Sequence, residues 1–516
     1  MKFCLCNPFF IFGLVLVWRV LLLVFTAQPI PANDAFGYDG AVVNFLHDGH
    51  YCNPSFAVVF PIAGKEIYSA YPPLYQGALL VWMTIFGTSV ISAMAFHLSL
   101  FAISGFLALG IVKKFFPEAT GYALVALLFF GFTFGDRPED LAYVFGLGAL
   151  WLVARQISED GFRVGTVAGL LLALLLGLYT SVIVGAYFFG TGFLACSAAG
   201  GWRRNRYWFA PFVAAAALFA VTIIFIAKME PRWWAGFMES AHQQSVMAAG
   251  LHAPRGMDVI KLIRTAPVFL LGLAALPLVI SRRQEIFFGK SNWLALVAGI
   301  FAMGWLLLAA DLTLLVANYV NYVMFTQIIL AAGLLALAQK HFPEREHRLR
   351  AALLGCALLV SVRAVGMTTW GAACAWANSY RSTQAVLRAE LEPFVKSGRP
   401  VLVSSAFLYY AADLGVKNPV HSDWYFDHAN WTNNAETEGL ARLQPSKLVL
   451  TQFDYYRSFV TLLEKLRQRP ELVEIRVRDL AGVRVPDAIA SLHRVVQHIS
   501  WAPVIVDLNW KSPPPP

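Results

Sequence analysis

The chain reads as a polytopic α-helical membrane protein of about eleven spans with a small C-terminal extracytoplasmic α/β domain. Three observations lead there. Of its 516 residues 58% are hydrophobic and 14% charged, where a soluble domain carries about 25% charged residues. Mean hydropathy is +0.59, and apolar runs of the roughly 17–25 residues needed to cross a hydrocarbon core recur through the first 370 positions. After Trp370 the pattern becomes that of an ordinary soluble domain. The net charge of +9 does not point to nucleic acid, because the basic residues form short clusters between apolar runs, where they set topology.

Spans are expected near 8–28, 89–111, 119–135, 140–156, 164–181, 182–200, 207–227, 262–281, 293–310, 318–338 and 350–370. Lys113-Lys114, Arg203-Arg204-Arg206, Arg282-Arg283-Lys290 and Lys340 with Arg345, Arg348 and Arg350 then share one side, which the positive-inside rule makes cytoplasmic. The N-terminus is expected inside and the C-terminal domain outside, in a bacterial inner (plasma) membrane. Making 72–88 a full span would turn Lys113-Lys114 outward, so this stretch is read as a helix at, or dipping into, the outer surface. The first apolar run follows Lys2 but is longer than a signal-peptide core and lacks a small-x-small site, so an uncleaved anchor is expected. Arg19 within it should face the bundle or snorkel. Of the cysteines, only Cys52 and Cys374 fall outside, where a disulfide is chemically allowed.

Beyond the spans, Val401–Ser405, Phe407–Leu414 and Lys447–Thr451, a helical Phe459–Arg467 and a strand at Glu471–Arg476 predict alternating strands and helices, a small α/β layer. The domains are therefore 1–370, with an external loop at 29–88, and 371–516, closing on the Pro-rich tail Ser512–Pro516.

The external loop carries the first chemistry. Ala35, Tyr38, Val42, Phe45 and Leu46 recur at helical spacing, with Asn44, His47 and Asp48 on the other side. This predicts an amphipathic helix along the outer surface. Asn33 or Asp34 at its start would serve as a cap. The order of Asp34, Tyr38, Asn44 and Gly49, followed by Tyr71-Pro72-Pro73-Leu74-Tyr75, resembles the GT-C glycosyltransferases. It is similar in particular to bacterial members related to protein O-mannosyltransferases and to the aminoarabinose and Rgt-type lipid-A sugar transferases.

The resemblance covers roughly residues 5–160 in motif. It implies a sugar transferred from a polyprenyl-phosphate carrier to an acceptor hydroxyl on a lipid, glycan or protein, by single displacement with inversion. It assigns the residue at Asp34 as catalytic base. Many members carry Asp-Glu there, whereas this chain has Asp34-Ala35, leaving Asp39 as a candidate second carboxylate. Chemically, the acceptor hydroxyl must lose a proton, and the leaving lipid phosphate needs positive charge near its oxygens. Tyr38 and Tyr71 are candidate substrate contacts on the same motifs.

In the next external turn, Asp136-Arg137-Pro138-Glu139-Asp140 places four charges at the surface. The resemblance makes Asp136 or Asp140 the matching acid and Arg137 a phosphate contact, with Glu139 beside them; a solvated turn is the plain alternative. The external stretch 229–261 holds Arg232-Trp233-Trp234, Glu239, His242, His252, Arg255 and Lys261, with Arg264 just after. The tryptophans suit an interfacial belt or a stacking platform for a sugar ring. Arg255, Lys261 and Arg264 are candidate phosphate partners or ordinary interfacial cations. Relatives place Arg-Tyr where this chain has Asn318-Tyr319, so Tyr319 remains a candidate and the phosphate contact shifts toward Arg137 or Arg264. No cofactor is expected beyond a divalent metal ion, which some GT-C branches use and this sequence leaves open. A transporter or flippase of a lipid-linked intermediate would show internal repeats and mid-membrane charges. Neither is visible beyond Arg19. A surface-polysaccharide polymerase or ligase would place its large loop later in the chain.

Overall fold

The computed structural model describes residues 7–27, 35–56, 61–69, 71–121, 137–159, 163–200, 206–250, 263, 266–281, 292–314, 323–356, 380–417, 419–421, 440–441, 443–451, 460–479 and 503–511. The first helix, α1 (Pro8–Thr26), begins where Asn7 accepts a hydrogen bond from the Phe9 N–H at 3.1 Å and Pro8 takes the first helical position. Phe25 is 78% exposed, as a lipid-facing side chain would be, while Arg19 on the same helix is buried. That burial matches the expectation that its charge turns toward the bundle rather than to lipid.

Between α1 and α5 (Val90–Phe115) lie α2 (Ala35–Asp48), α3 (Pro61–Lys65) and α4 (Leu74–Phe86). Ser89 caps α5 by accepting from the Ser92 N–H, and Lys113 and Lys114 sit in its last turn, where the helix dipole favours cations. The Lys113 ammonium lies 5.1 Å from the Phe9 ring centre, and Phe9 stacks on Phe106 at 6.3 Å. The C-terminal end of α5 therefore meets the N-terminal end of α1. Residues 27 and 89 therefore lie at the opposite end of this helix pair.

The bundle continues through α6 (Glu139–Glu159), α7 (Val164–Thr180), α8 (Val182–Ala198) and α9 (Ala210–Met229). After α10 (Pro231–Gly250) come α11 (Pro267–Ser281), α12 (Asn292–Leu314) and α13 (Met324–His341), then a helix over 346–356. These follow the expected spans. Most of the spans expected at 119–135 and at 350–370 lies outside the described residues. Among the described residues, Pro8–Thr26, Val90–Phe115, Glu139–Ser158 and Arg206–Met229 are long and apolar enough to cross a membrane, and shorter apolar helices accompany them. This is a multi-pass membrane protein. Small residues set its closest helix contacts: a Cβ on Gly185 would lie 2.7 Å from the Leu178 backbone nitrogen, and one on Gly299 would lie 2.6 Å from the Thr191 carbonyl.

One segment differs from expectation. The stretch 229–261, expected as an external loop, is helical over Pro231–Gly250. Pro231 suits the first turn, and the helix is tied to α3 by the Glu239 carboxylate, which accepts from the Ile62 N–H at 3.1 Å.

The C-terminal domain opens with α14 (Tyr380–Leu391) and builds a five-stranded sheet in the order β2-β1-β3-β5-β4. Its strands are β1 (Val401–Val403), β2 (Pro419–His421), β3 (Lys447–Thr451), β4 (Leu472–Asp479) and β5 (Pro503–Trp510). The pairs β1–β2 and β1–β3 are parallel, with Leu402 opposite Val420 and Leu448; β5 runs antiparallel between β3 and β4. The last strand lies beyond the segments that the sequence had marked as patterned. Both faces of β1 and β3 are buried, which accounts for their continuous apolar runs. One face packs on Leu462, Leu463 and Leu466 of α16 (Val460–Arg467). The other packs on α15 (Ser405–Asp413), whose Phe407, Leu408 and Ala411 join the same apolar core as the membrane helices.

Candidate active site

The α2 helix packs against α4 and against the Ser405–Asp413 helix of the C-terminal domain. Gly37 and Gly40 lie on the crowded side: the Gly37 carbonyl accepts from the Tyr68 hydroxyl at 2.6 Å and from Asn53 Nδ2 at 3.3 Å. A Cβ on Gly40 would come within 2.7 Å of the Asn53 amide oxygen. Next along the helix, the Tyr38 and Tyr71 hydroxyls are 3.0 Å apart, with their rings edge to face at 4.6 Å. The two motifs singled out in sequence therefore touch.

Asp39 turns inward and has no exposed surface. Its Oδ1 accepts from the Tyr75 hydroxyl at 2.6 Å, and its Oδ2 accepts from the Tyr409 hydroxyl of α15. Tyr75 is itself 3.1 Å from His97 Nε2, and His97 Nδ1 is 2.8 Å from Asp140 Oδ2. The result is a buried chain Tyr409–Asp39–Tyr75–His97–Asp140 that links α15, α2, α4, α5 and the first turn of α6. Burial pushes the Asp39 carboxyl up from its ordinary range, against the nearby His97 and the two tyrosine hydroxyls, which favour the anion.

Donor counting constrains this chain. Each tyrosine has one proton to give, and an ionised carboxylate can only accept. With one proton shared beyond the hydroxyls, it can rest on His97, as an imidazolium between two carboxylates. It can rest on Asp140, with His97 neutral and donating from Nε2. It can also rest on Asp39, with the Tyr75 hydroxyl turned toward His97. Every bond is kept in all three arrangements, and the chain carries a net charge of −1 in each.

The other residues expected at the site fall as follows. Arg137 is half-buried just before α6, and Glu139 is buried in its first turn beside Asp140. Acids there are favoured by the helix N-terminus. Asp34, Asp136, Arg255, Lys261, Arg264 and Tyr319 lie outside the described residues. Trp233 is buried and stacked on Phe237 at 5.7 Å, while Trp234 is 39% exposed. His242 is exposed and His252 lies outside the described residues. Cys52 is buried, forms no disulfide among the described residues and takes a contact from Asn44 Nδ2 at 3.5 Å; Cys374 lies outside them. Among the described residues no three His, Cys, Asp or Glu side chains group as a metal site.

Sequence reasoning missed three members of the chain: Tyr75 as a site residue, His97 and Tyr409. An ionisable side chain inside an apolar span is a functional candidate by default, and that signal was present at His97. No local signal reached Tyr409.

No family model matches the chain, and neither does any curated protein. Among solved structures it is similar to ArnT from Cupriavidus metallidurans bound to undecaprenyl phosphate, at 12% identity over 98% of each chain with a TM-score of 0.46. It is also similar to the Archaeoglobus fulgidus oligosaccharyltransferase complex with Zn and sulfate, at 12% identity over 86% of this chain and 68% of that one, TM-score 0.44. The same archaeon's AglB with an inhibitory peptide and a dolichol-phosphate gives 11% identity over 86% and 70%, TM-score 0.42.

Proposed function

We propose that this chain is a membrane glycosyltransferase of the GT-C type, working at the outer face of a bacterial inner membrane on a polyprenyl-phosphate-linked sugar. The observation that carries the reading is the buried chain from Asp39 to Asp140. It gathers the first external loop and the acidic turn before α6, the two segments in which the sequence motifs place the acidic residues of such an enzyme. The resemblance in Asp34, Tyr38 and Tyr71–Tyr75 supports it further.

In this reading Asp34, immediately before α2, takes the proton of the acceptor hydroxyl as its oxygen bonds to the anomeric carbon. The bond from that carbon to the phosphate oxygen breaks, and the electron pair leaves with the lipid phosphate. Displacement from the opposite face inverts the anomeric centre. Arg137, with Arg255, Lys261 and Arg264, supplies positive charge to the departing phosphate, which then needs no acid. Glu139 and Asp140 hold the turn that carries Arg137, and Tyr319 is a further candidate contact. Tyr38 and Tyr71 line the approach to the base. Asp39, taken up by two tyrosines, acts behind the surface.

The test is sugar transfer by the purified protein in nanodiscs, supplied with a panel of polyprenyl-phosphate sugars and membrane extract as acceptor. Transfer that collapses in a folded Asp34→Asn variant is expected. Equal transfer by both proteins would reduce Asp34 to a helix cap. Lipid-linked sugar crossing the bilayer without transfer would make the protein a flippase.

A further inference from the structure

We propose that Tyr409, carried by the C-terminal domain, is a positioning residue for transfer, so that the soluble domain completes the membrane site rather than resting on it. The inference deepens the function proposed above and rests on that reading. Three observations carry it. First, α15 does not merely cover α2. Its Tyr409 hydroxyl donates to Asp39 Oδ2 in a position with no solvent access. Second, α15 is pinned a second time one turn later. Asp413 accepts from the Thr88 hydroxyl, at the entry to α5, and lies 3.9 Å from His47 Nε2 near the end of α2. Ala412 lies between the two pins, and with Leu408 it lines the seam against Gly40 and Val43. Third, Asp39 is linked through Tyr75 and His97 to Asp140 at the start of α6. The angle of α2 and the position of Arg137 are therefore set by one connected unit, with Tyr409 at one end.

Tyr409 touches no reacting atom in this account. Losing its hydroxyl leaves one oxygen of a buried carboxylate unsatisfied, and α2 must shift or admit water to satisfy it. Asp34 directly precedes that helix. A displacement of the base by about 1 Å is worth up to roughly a hundredfold in rate, with little effect on donor binding.

The experiment compares Tyr409→Phe with Tyr410→Phe in the full-length protein in nanodiscs. Tyr410 lies on the same helix but donates to the Gln384 carbonyl of α14 at 2.9 Å, away from α2, so it controls for loss of a hydroxyl within the domain. Steady-state transfer is measured with the donor found active on the wild type, alongside hydrogen–deuterium exchange over residues 35–48. Tyr409→Phe is expected to lower kcat at least tenfold at unchanged donor KM and to raise exchange in α2, while Tyr410→Phe keeps the wild-type kcat. An unchanged kcat in Tyr409→Phe overturns the inference and leaves the transferase reading standing. So does a fall of the same size in Tyr410→Phe, which would mark general loosening of the domain. A wild type inactive with every donor overturns the transferase reading itself, and the role given to Tyr409 with it.

Discussion

Two polar networks lie in this molecule, and their charges do not balance in the same way. In the soluble domain, Glu390 of α14 meets Lys447 at 2.6 Å and Arg478 at 2.6 Å, and Asp507 meets Lys447 at 2.7 Å and Arg478 at 3.0 Å. Two anions face two cations, and the network ties α14 across β3, β5 and β4. Hydrogen bonds from Arg478 lead in holding the Glu390 carboxyl down to about 2. The chain from Tyr409 to Asp140 is more deeply buried, yet it has two carboxylates and one histidine. Buried carboxylates are costly to fold around without counter-charge, and here the partners are His97 and, beside Asp140, Arg137. A balanced network fastens a sheet. The unbalanced one lies between the loops that bear the candidate chemistry, where perturbed carboxylates are to be expected.

Substitutions can break or sharpen this contrast. The largest effect is expected at Asp34→Asn, which should cost roughly 10²–10⁴-fold in transfer if it removes a general base. Its unfolding midpoint in detergent should stay near that of the wild type. Tyr75→Phe interrupts the unbalanced chain in its middle, leaving an Asp39 oxygen and His97 Nε2 without their shared hydroxyl. Deleting one partner of buried polar groups costs about 1–3 kcal/mol for each group left unmet, so this variant should lose stability by denaturant titration and activity by kinetic assay together. Glu390→Gln removes charge from the balanced network. It should destabilise the soluble domain by about 2–3 kcal/mol, below the fully buried range because Arg478 retains solvent contact, with only a small change in transfer at a temperature where the domain is folded.

Acid gives a milder separation. The folded value of Glu390 is depressed, from 4.5 to about 2. Its contribution to stability is fully present above pH 4.5 and is lost as pH falls from 4.5 through 2. Tryptophan fluorescence during acid titration should show the soluble domain loosening within that window. Loosening that begins near neutrality would place the controlling group elsewhere. Tyr38→Phe is the smallest case: Tyr71 is only half-buried, so losing their mutual hydrogen bond should cost under about 1 kcal/mol, and transfer should report any effect before stability does.

The membrane helices were legible because a long apolar run is a local property. Asp39 and Asp140 could be flagged because charge beside an apolar span stands out. What they do there was not legible. The sequence suggested that α2 lies along a membrane surface, whereas Tyr38, Asp39, Ala41 and Val42 are all buried in protein. Amphipathic spacing reports that a helix has two faces; it does not report what covers each. Tyr409 reaches Asp39 from 370 positions away, and no period or motif links residues so distant. The β5 strand carries little local signal for a related reason: Val504, Ile505 and Val506 form a short apolar run whose partners, β3 and β4, lie upstream.

That strand has a consequence for how the protein is made. β5 inserts between β3 and β4, so every earlier strand must wait for residues 503–510 to leave the ribosome before the sheet can close. Parallel and long-range pairings form slowly in any case. A chain halted before Pro503 would hold its membrane helices while β3 and β4 kept open edges, and the platform beneath α15 would be incomplete. Completion of the site would then wait on residues 503–510, so a copy lacking them would remain a silent one.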